Sequence, residues 1–352
     1  MSTLKNTLRD SRWARWLALA CLVVPMFASY FFDDMFSSLS ELFKNPEMLE
    51  LGWDMADYGF YASGYSFLCI WGGLIICGAL LDKFGVRLVG SIFVGMMAGG
   101  AALVTFAISA GFKPDTSLTI AYIGCMLFGL GSEIAGVSVT RSIAKWFKGR
   151  NMALAMGLQL AIARFGTATA ILIAPMIVAQ KPAGEIYTLA DTNRPALIGV
   201  AVLAVGVIIW AVFVAMDAGY DRQTGETDKV ETAEEDKFRF SDIWRVLSNP
   251  RFLMIAILCV TFYCCVIRFK KFGVSILLPL FGVNLDIATV LLAMIPFFTI
   301  LFTPLFGALV DKAGKATLWL IIGSALVLAS HLIITYAPQG VPVYAYIAIA
   351  LL

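Results

Sequence analysis

Histidine is almost missing from this chain, with His331 the single one among 352 residues. One imidazole cannot supply a His-rich metal site, and no His-Glu-x-x-His string is present, so no metal is expected. A Gly-x-x-x-x-Gly-Lys-Ser/Thr loop is also lacking, which removes the usual cradle for nucleotide phosphates; no cofactor and no enzyme activity are expected. Charge is scarce. Asp, Glu, Lys and Arg make up 14% of the residues and the net charge is +2, too little to draw a nucleic acid. The seven cysteines (Cys21, Cys69, Cys77, Cys125, Cys259, Cys264 and Cys265) all fall inside apolar runs, with neither metal-type spacing nor the pattern of a disulfide framework. They read as small packing residues.

What fills the chain instead is hydrocarbon. Hydrophobic residues make up 60% of it, and its mean hydropathy of +0.85 exceeds that of ordinary water-soluble domains. A helix needs about 20 apolar residues to cross a bilayer. Such runs cover Trp16 to Phe32, Tyr58 to Leu81, Leu88 to Ala110, Leu118 to Thr140, Ala153 to Ala179 and Pro195 to Met216. Beyond a polar interval come Phe252 to Ile267, extendable towards Leu280, then Ile287 to Val310 and Thr317 to Ala337. A last run from Val343 stops at Leu352, about half a span, so the sequence reads as nine full spans and part of a tenth, a truncated chain or a fragment. The expected class is an all-α integral membrane protein embedded in lipid. Residues 1–217 would form a six-span bundle, 218–251 a cytoplasmic linker with "FSDIWRVL" as a short surface helix, and 252–352 an incomplete second bundle.

Basic residues set the orientation. Lys5, Arg9, Arg12 and Arg15 precede the first run, Lys83 and Arg87 lie between the second and third, and Arg141, Lys145, Lys148 and Arg150 between the fourth and fifth. The first-to-second connection offers only Lys44 and the third-to-fourth only Lys113, so the positive-inside rule puts the N-terminus in the cytoplasm. The first run lacks a clean small-residue cleavage site and reads as a retained span. A bacterial-type cell membrane is the expected location.

Two short connections repeat. "GALLDKFGVR" (Gly78, Asp82, Lys83, Gly85, Arg87) closes the second run and "GALVDKAGKA" (Gly307, Asp311, Lys312, Gly314) closes the eighth, the corresponding place in a six-plus-six duplication. The glycines would permit close helix approach, the aspartates would accept bonds from a neighbouring helix, and the bases would hold the turn at the cytosolic face. These strings resemble the signature of the major facilitator superfamily; Ala316 replaces the final base in the second copy. "SYFFDD", "GSEIAG", "KWFKGRNMALAMGLQLAIARFG" and "FGALVDKAGKATLWLI" look like the branch that includes the lysosomal dipeptide transporters of animals and their bacterial relatives. The Gly-Pro pair expected in the fifth helix of drug exporters is missing. The resemblance implies two six-helix bundles around a midplane site, with the solute carried by alternating access.

Charges inside the runs mark the candidate site, because a carboxylate or guanidinium facing lipid is costly. Glu133 lies eight positions before Arg141, about 12 Å deep, and Arg164 twelve positions after Met152, about 18 Å deep. Gly129 and Gly136 share the Glu133 face. The two charges either form a permanent packing pair or grip a solute. A zwitterionic dipeptide offers an ammonium for Glu133 and a carboxylate for Arg164, and the resemblance puts these two residues on the family's dipeptide-contacting positions. Tyr30 and Asp34 match the family's pattern as cavity residues, with an interface tyrosine and a loop acid as the alternative. Tyr61 and Tyr65, four apart, share a helical face and line the site or simply pack. His331 reads as a packing residue. Arg268, Lys270 and Lys271 form either an anion-attracting outer vestibule or the end of a helix at the membrane surface.

Three functions stay open: a carrier of dipeptides or similar small zwitterions, uniporting or proton-coupled; a carrier of small organic or inorganic anions; and a transporter-derived sensor or scaffold that binds solute without moving it. The expected partner is a small polar solute, and an accessory subunit is not readable.

Overall fold

A computed structural model describes residues 8–178, 181, 182, 184–224, 246–313 and 316–352. They are almost wholly helical, the sole extended pairing among them being a bridge between Leu49 and Tyr187. The helices are α1 (Arg12–Asp34), α2 (Met55–Leu68), α3 (Leu74–Phe84), α4 (Val86–Ser109), α5 (Pro114–Trp146), α6 (Met152–Ile177), α7 (Leu189–Thr224), α8 (Pro250–Phe281), α9 (Leu285–Ala313), α10 (Ala316–Tyr336) and α11 (Val343–Leu351). Nine stretches among the described residues are long and apolar enough to cross a membrane, α2 and α3 together making one of them; α11, with nine residues, is not among them.

Helix starts follow local chemistry. Ser11 caps α1; Asp54 and Asp57 exchange side-chain to backbone bonds of 2.8 and 3.0 Å in a capping box that opens α2; Asn249 with Pro250 opens α8. Two expectations change. The sixth run reaches well past Met216, because α7 continues to Thr224 and brings Asp217 and Asp221 against Arg87 and Lys145; the linker therefore begins later than residue 218. Residues 225–245, with most of "FSDIWRVL", lie outside the described residues. The seventh run is one continuous helix to Phe281, so Arg268, Lys270 and Lys271 do not terminate it.

The described chain divides into two units, and the first holds α1 to α7. There α4 lies along α5 and α7, α1 along α6 and α7, and α2 along α5. The approach of α2 to α5 is close enough that a Cβ on Gly129 would overlap the Tyr65 carbonyl, which leaves glycine as the residue that fits. The second unit holds α8 to α11 and Phe36–Glu41. Within it Ser330 donates to the Ala348 carbonyl at 2.7 Å, joining α10 to α11. His331 lies 2.9 Å from the Val327 carbonyl with its ring edge-on to Phe269, which agrees with a packing role.

Candidate functional site

One constellation collects at mid-height of the first unit, on α1, α2, α5 and α6. Glu133, on α5, is exposed, and its Oε1 accepts the Tyr65 hydroxyl at 2.9 Å. Tyr65 Oη is also 3.2 Å from Ser132 Oγ, and Ser132 is 2.5 Å from Ser29 Oγ on α1. Across the site Arg164, on α6 and half-buried, holds its guanidinium carbon 5.8 Å from the centre of the Tyr30 ring. That distance suits a cation over an aromatic face. Tyr30 is within electrostatic reach of Arg164, Glu133, Asp33 and Asp34, so one phenol reports on both charges of the expected pair.

Glu133 and Arg164 form no salt bridge with each other among the described residues, nor does Arg164 with any other carboxylate there. The permanent packing pair is thus not what the fold builds. Each charge is instead steadied by a tyrosine and keeps capacity for a further partner: the carboxylate has a second oxygen, and the guanidinium has five N–H donors.

The remaining candidates separate. Asp34 is fully buried and accepts the Thr167 hydroxyl at 2.7 Å, so it ties α1 to α6 and does not line the site. Its neighbour Asp33 is half-exposed and lies near Tyr30 and Tyr65; sequence reading missed it, since "FFDD" gives no sign of which acid turns inward. Tyr61 does not join Tyr65. It is buried against Trp53 and Tyr58, at ring separations of 5.7 and 6.5 Å, and shares with Tyr65 only the electrostatic reach of Asp33. Ser29 and Ser132 were also missed, being unremarkable small residues within apolar runs. In the second unit Lys270 and Lys271 are 6% and 8% exposed, which does not fit an open anion vestibule, and only Arg268 of that trio is exposed.

The repeated motif meets its partners in its first copy. Asp82, at the end of α3, pairs with Arg141 of α5. Arg87 reaches Asp221 at 3.0 Å and Asp217 at 3.8 Å, and Lys145 reaches the same two acids at 2.8 and 3.0 Å. The Trp146 indole N–H donates to Asp217 at 2.8 Å, closing a neutral cluster of two bases and two acids that joins α4, α5 and α7. Lys83 is exposed and lies over the Phe84 ring at 5.3 Å, and Gly85, with φ 82°, forms the joint between α3 and α4. Gly78 is not a close-approach glycine here, for a Cβ on it would meet nothing within 4 Å. In the second copy Lys312 is exposed, Gly307 and Asp311 fall within α9 without described side chains, and Gly314 lies outside the described residues.

A two-unit helical membrane fold with charged groups inside one bundle, and with these turn motifs, defines a class. The sequence profile of the Major Facilitator Superfamily matches residues 22–352, and the chain belongs to that family. Its relatives narrow the likeness. The chain is 27% identical over 326 residues to the lysosomal dipeptide transporter MFSD1 of Pongo abelii, covering 92% of this chain and 66% of the relative. To that of Homo sapiens it is 26% identical with the same coverage, and to that of Mus musculus 28% over 327 residues, covering 91% and 66%. The chain therefore spans slightly less than two thirds of the length of the curated relatives it matches. Among solved structures it is similar to a bacterial homolog of the human lysosomal transporter Spinster, at a TM-score of 0.65 and 16% identity, covering 97% of this chain and 73% of that one. It is also similar to the peptide transporter POT in complex with alafosfalin, at a TM-score of 0.60 and 15% identity, covering 95% and 78%. At such identities these two likenesses speak to fold alone. The family and the relatives point to a membrane transporter and not to an enzyme.

Proposed function

We propose that this chain carries the solute site of a secondary transporter for dipeptides or similar small zwitterions, with Glu133 receiving the ammonium and Arg164 the carboxylate. The observation that carries the reading is that opposite charges lie around one phenol, Tyr30, without pairing with each other. Two fixed charges in a low-dielectric setting are costly unless a ligand or water completes them, and a zwitterion completes both at once. Tyr65 and Asp33 complete the set, and the solute would move as one bundle rocks against the other. The name of the relatives, dipeptide transporters, supports the same solute class. An anion carrier built on Arg268, Lys270 and Lys271 finds less support, because two of the three bases are buried.

The test is counterflow of labelled alanyl-alanine in proteoliposomes together with equilibrium binding to the purified chain. Exchange that drops at least tenfold in Glu133→Gln, with binding weakened in parallel, supports a carrier. Binding without exchange turns the reading to a sensor or scaffold, and binding unaffected by Glu133→Gln removes the site assignment.

A further inference from the structure

Hydroxyls within helices commonly bond back onto their own backbone, and α5 follows the habit at four positions, the first being Thr119, which donates to the Asp115 carbonyl at 2.8 Å. Ser138 donates to the Ile134 carbonyl at 2.9 Å, Thr140 to Gly136 at 3.0 Å and Ser142 to Ser138 at 2.8 Å. Ser132 departs from it. Among the described residues its hydroxyl meets only Ser29 Oγ at 2.5 Å and Tyr65 Oη at 3.2 Å, and Ser29 Oγ meets only Ser132. Both serines are buried, at 1% and 3% exposure, where an unused hydroxyl would be costly.

Counting protons gives the chain a direction. Tyr65 has one proton and two oxygen neighbours, and Glu133 Oε1, at 2.9 Å against 3.2 Å for Ser132 Oγ, is the nearer and takes that proton. The bond to Ser132 is then made by the serine proton, and the Ser132 oxygen is left to take the proton of Ser29. Three hydroxyls thus donate in one sense, from α1 through α5 and α2 to the Glu133 carboxylate, and each donation strengthens the next.

We propose that Ser29 and Ser132 are positioning residues for solute recognition: they fix the Tyr65 phenol, which fixes the Glu133 carboxylate in the orientation that receives a solute ammonium. This rests on the reading of Glu133 given above. One oxygen of Glu133 is held by the chain, and the other is presented to the solute. Because the three hydroxyls belong to three different helices, the aim of the carboxylate follows the packing of α1, α2 and α5.

The experiment compares binding of alanyl-alanine with binding of N-acetyl-alanyl-alanine, which lacks the ammonium, on the purified full chain. The readout is the ratio of the two Kd values, which a loss of folded protein does not move. Glu133→Gln is expected to abolish the preference for the free ammonium. Ser132→Ala and Ser29→Ala are each expected to reduce it roughly three- to tenfold, the scale of one hydrogen bond between neutral groups. Ser138→Ala, a buried hydroxyl of the same helix bonded to its own backbone, should leave the ratio unchanged. Should Ser132→Ala fail to fold, Ser29→Ala and Tyr65→Phe carry the test. A ratio kept in both serine variants but lost in Glu133→Gln overturns the positioning role alone. A ratio kept in Glu133→Gln, or no preference in the parent chain, overturns the site reading and this inference with it.

Discussion

At the scale of single residues, the side chains that share a task are the ones that helix azimuth turns the same way. Asp33 and Asp34 are adjacent in sequence yet about 100° apart around α1, so one is half-exposed beside Tyr30 while the other is buried on Thr167. Arg164 offers the sharpest test at this scale. A guanidinium over a ring can stack and still grip a carboxylate with two parallel bonds, whereas an ammonium acts as a point charge. Arg164→Lys should therefore weaken alanyl-alanine binding about tenfold, while the affinity for alanyl-alanine amide, which has no carboxylate, changes little. Equal losses for both ligands would argue against Arg164 as the carboxylate partner. Glu133 and Arg164 were legible in the sequence because charge in an apolar run is conspicuous. Ser29 and Ser132 were not, since a serine among alanines and glycines carries no such contrast.

At the scale of elements, the second span is the irregular one. Its apolar run from Tyr58 to Leu81 reads as an uninterrupted helix, yet a π-helical turn over Cys69–Gly73 breaks it. Trp71 has ψ 27° and Gly72 takes φ 91°, a conformation that a side chain disfavours by about 1–2 kcal/mol. The break separates the half that carries Tyr65 from the half that carries Asp82. A Cβ on Gly72 would meet nothing within 4 Å, so alanine there tests backbone strain without a clash. Gly72→Ala should lower the apparent melting temperature in detergent. Gly99→Ala, equally open but within the regular helix α4, should be neutral or slightly stabilising. Identical behaviour of the two variants would mean that the turn bears no strain. The double glycine was the one hint in the sequence, and glycines are common in membrane helices for packing reasons alone.

At the scale of the whole molecule, the topology follows from where bases sit between spans. The cluster of Arg87, Lys145, Asp217 and Asp221 and the pair of Asp82 with Arg141 lie at one end of the first unit. The bridge between Leu49 and Tyr187, with the Glu50 carboxylate capping α7 through the Leu189 N–H at 2.9 Å, lies at the other. If the basic end is cytoplasmic, a single reporter cysteine at Glu47 in a chain freed of its own cysteines should react with a membrane-impermeant thiol reagent on intact cells. One at Lys148 should react only after permeabilisation. The opposite pattern would reverse the orientation.

Span number, the repeated turn and the two intramembrane charges were set by the sequence alone, because hydropathy and local spacing act within a few turns of one helix and need no knowledge of neighbours. The hydroxyl chain from Ser29 to Glu133, the cation–π contact of Arg164 with Tyr30, the burial of Tyr61 and the extension of α7 into the ion cluster were decided only in three dimensions. Each depends on the azimuth and tilt at which separate helices meet. Those angles are chosen by packing across the whole bundle, a balance that no single run of residues contains.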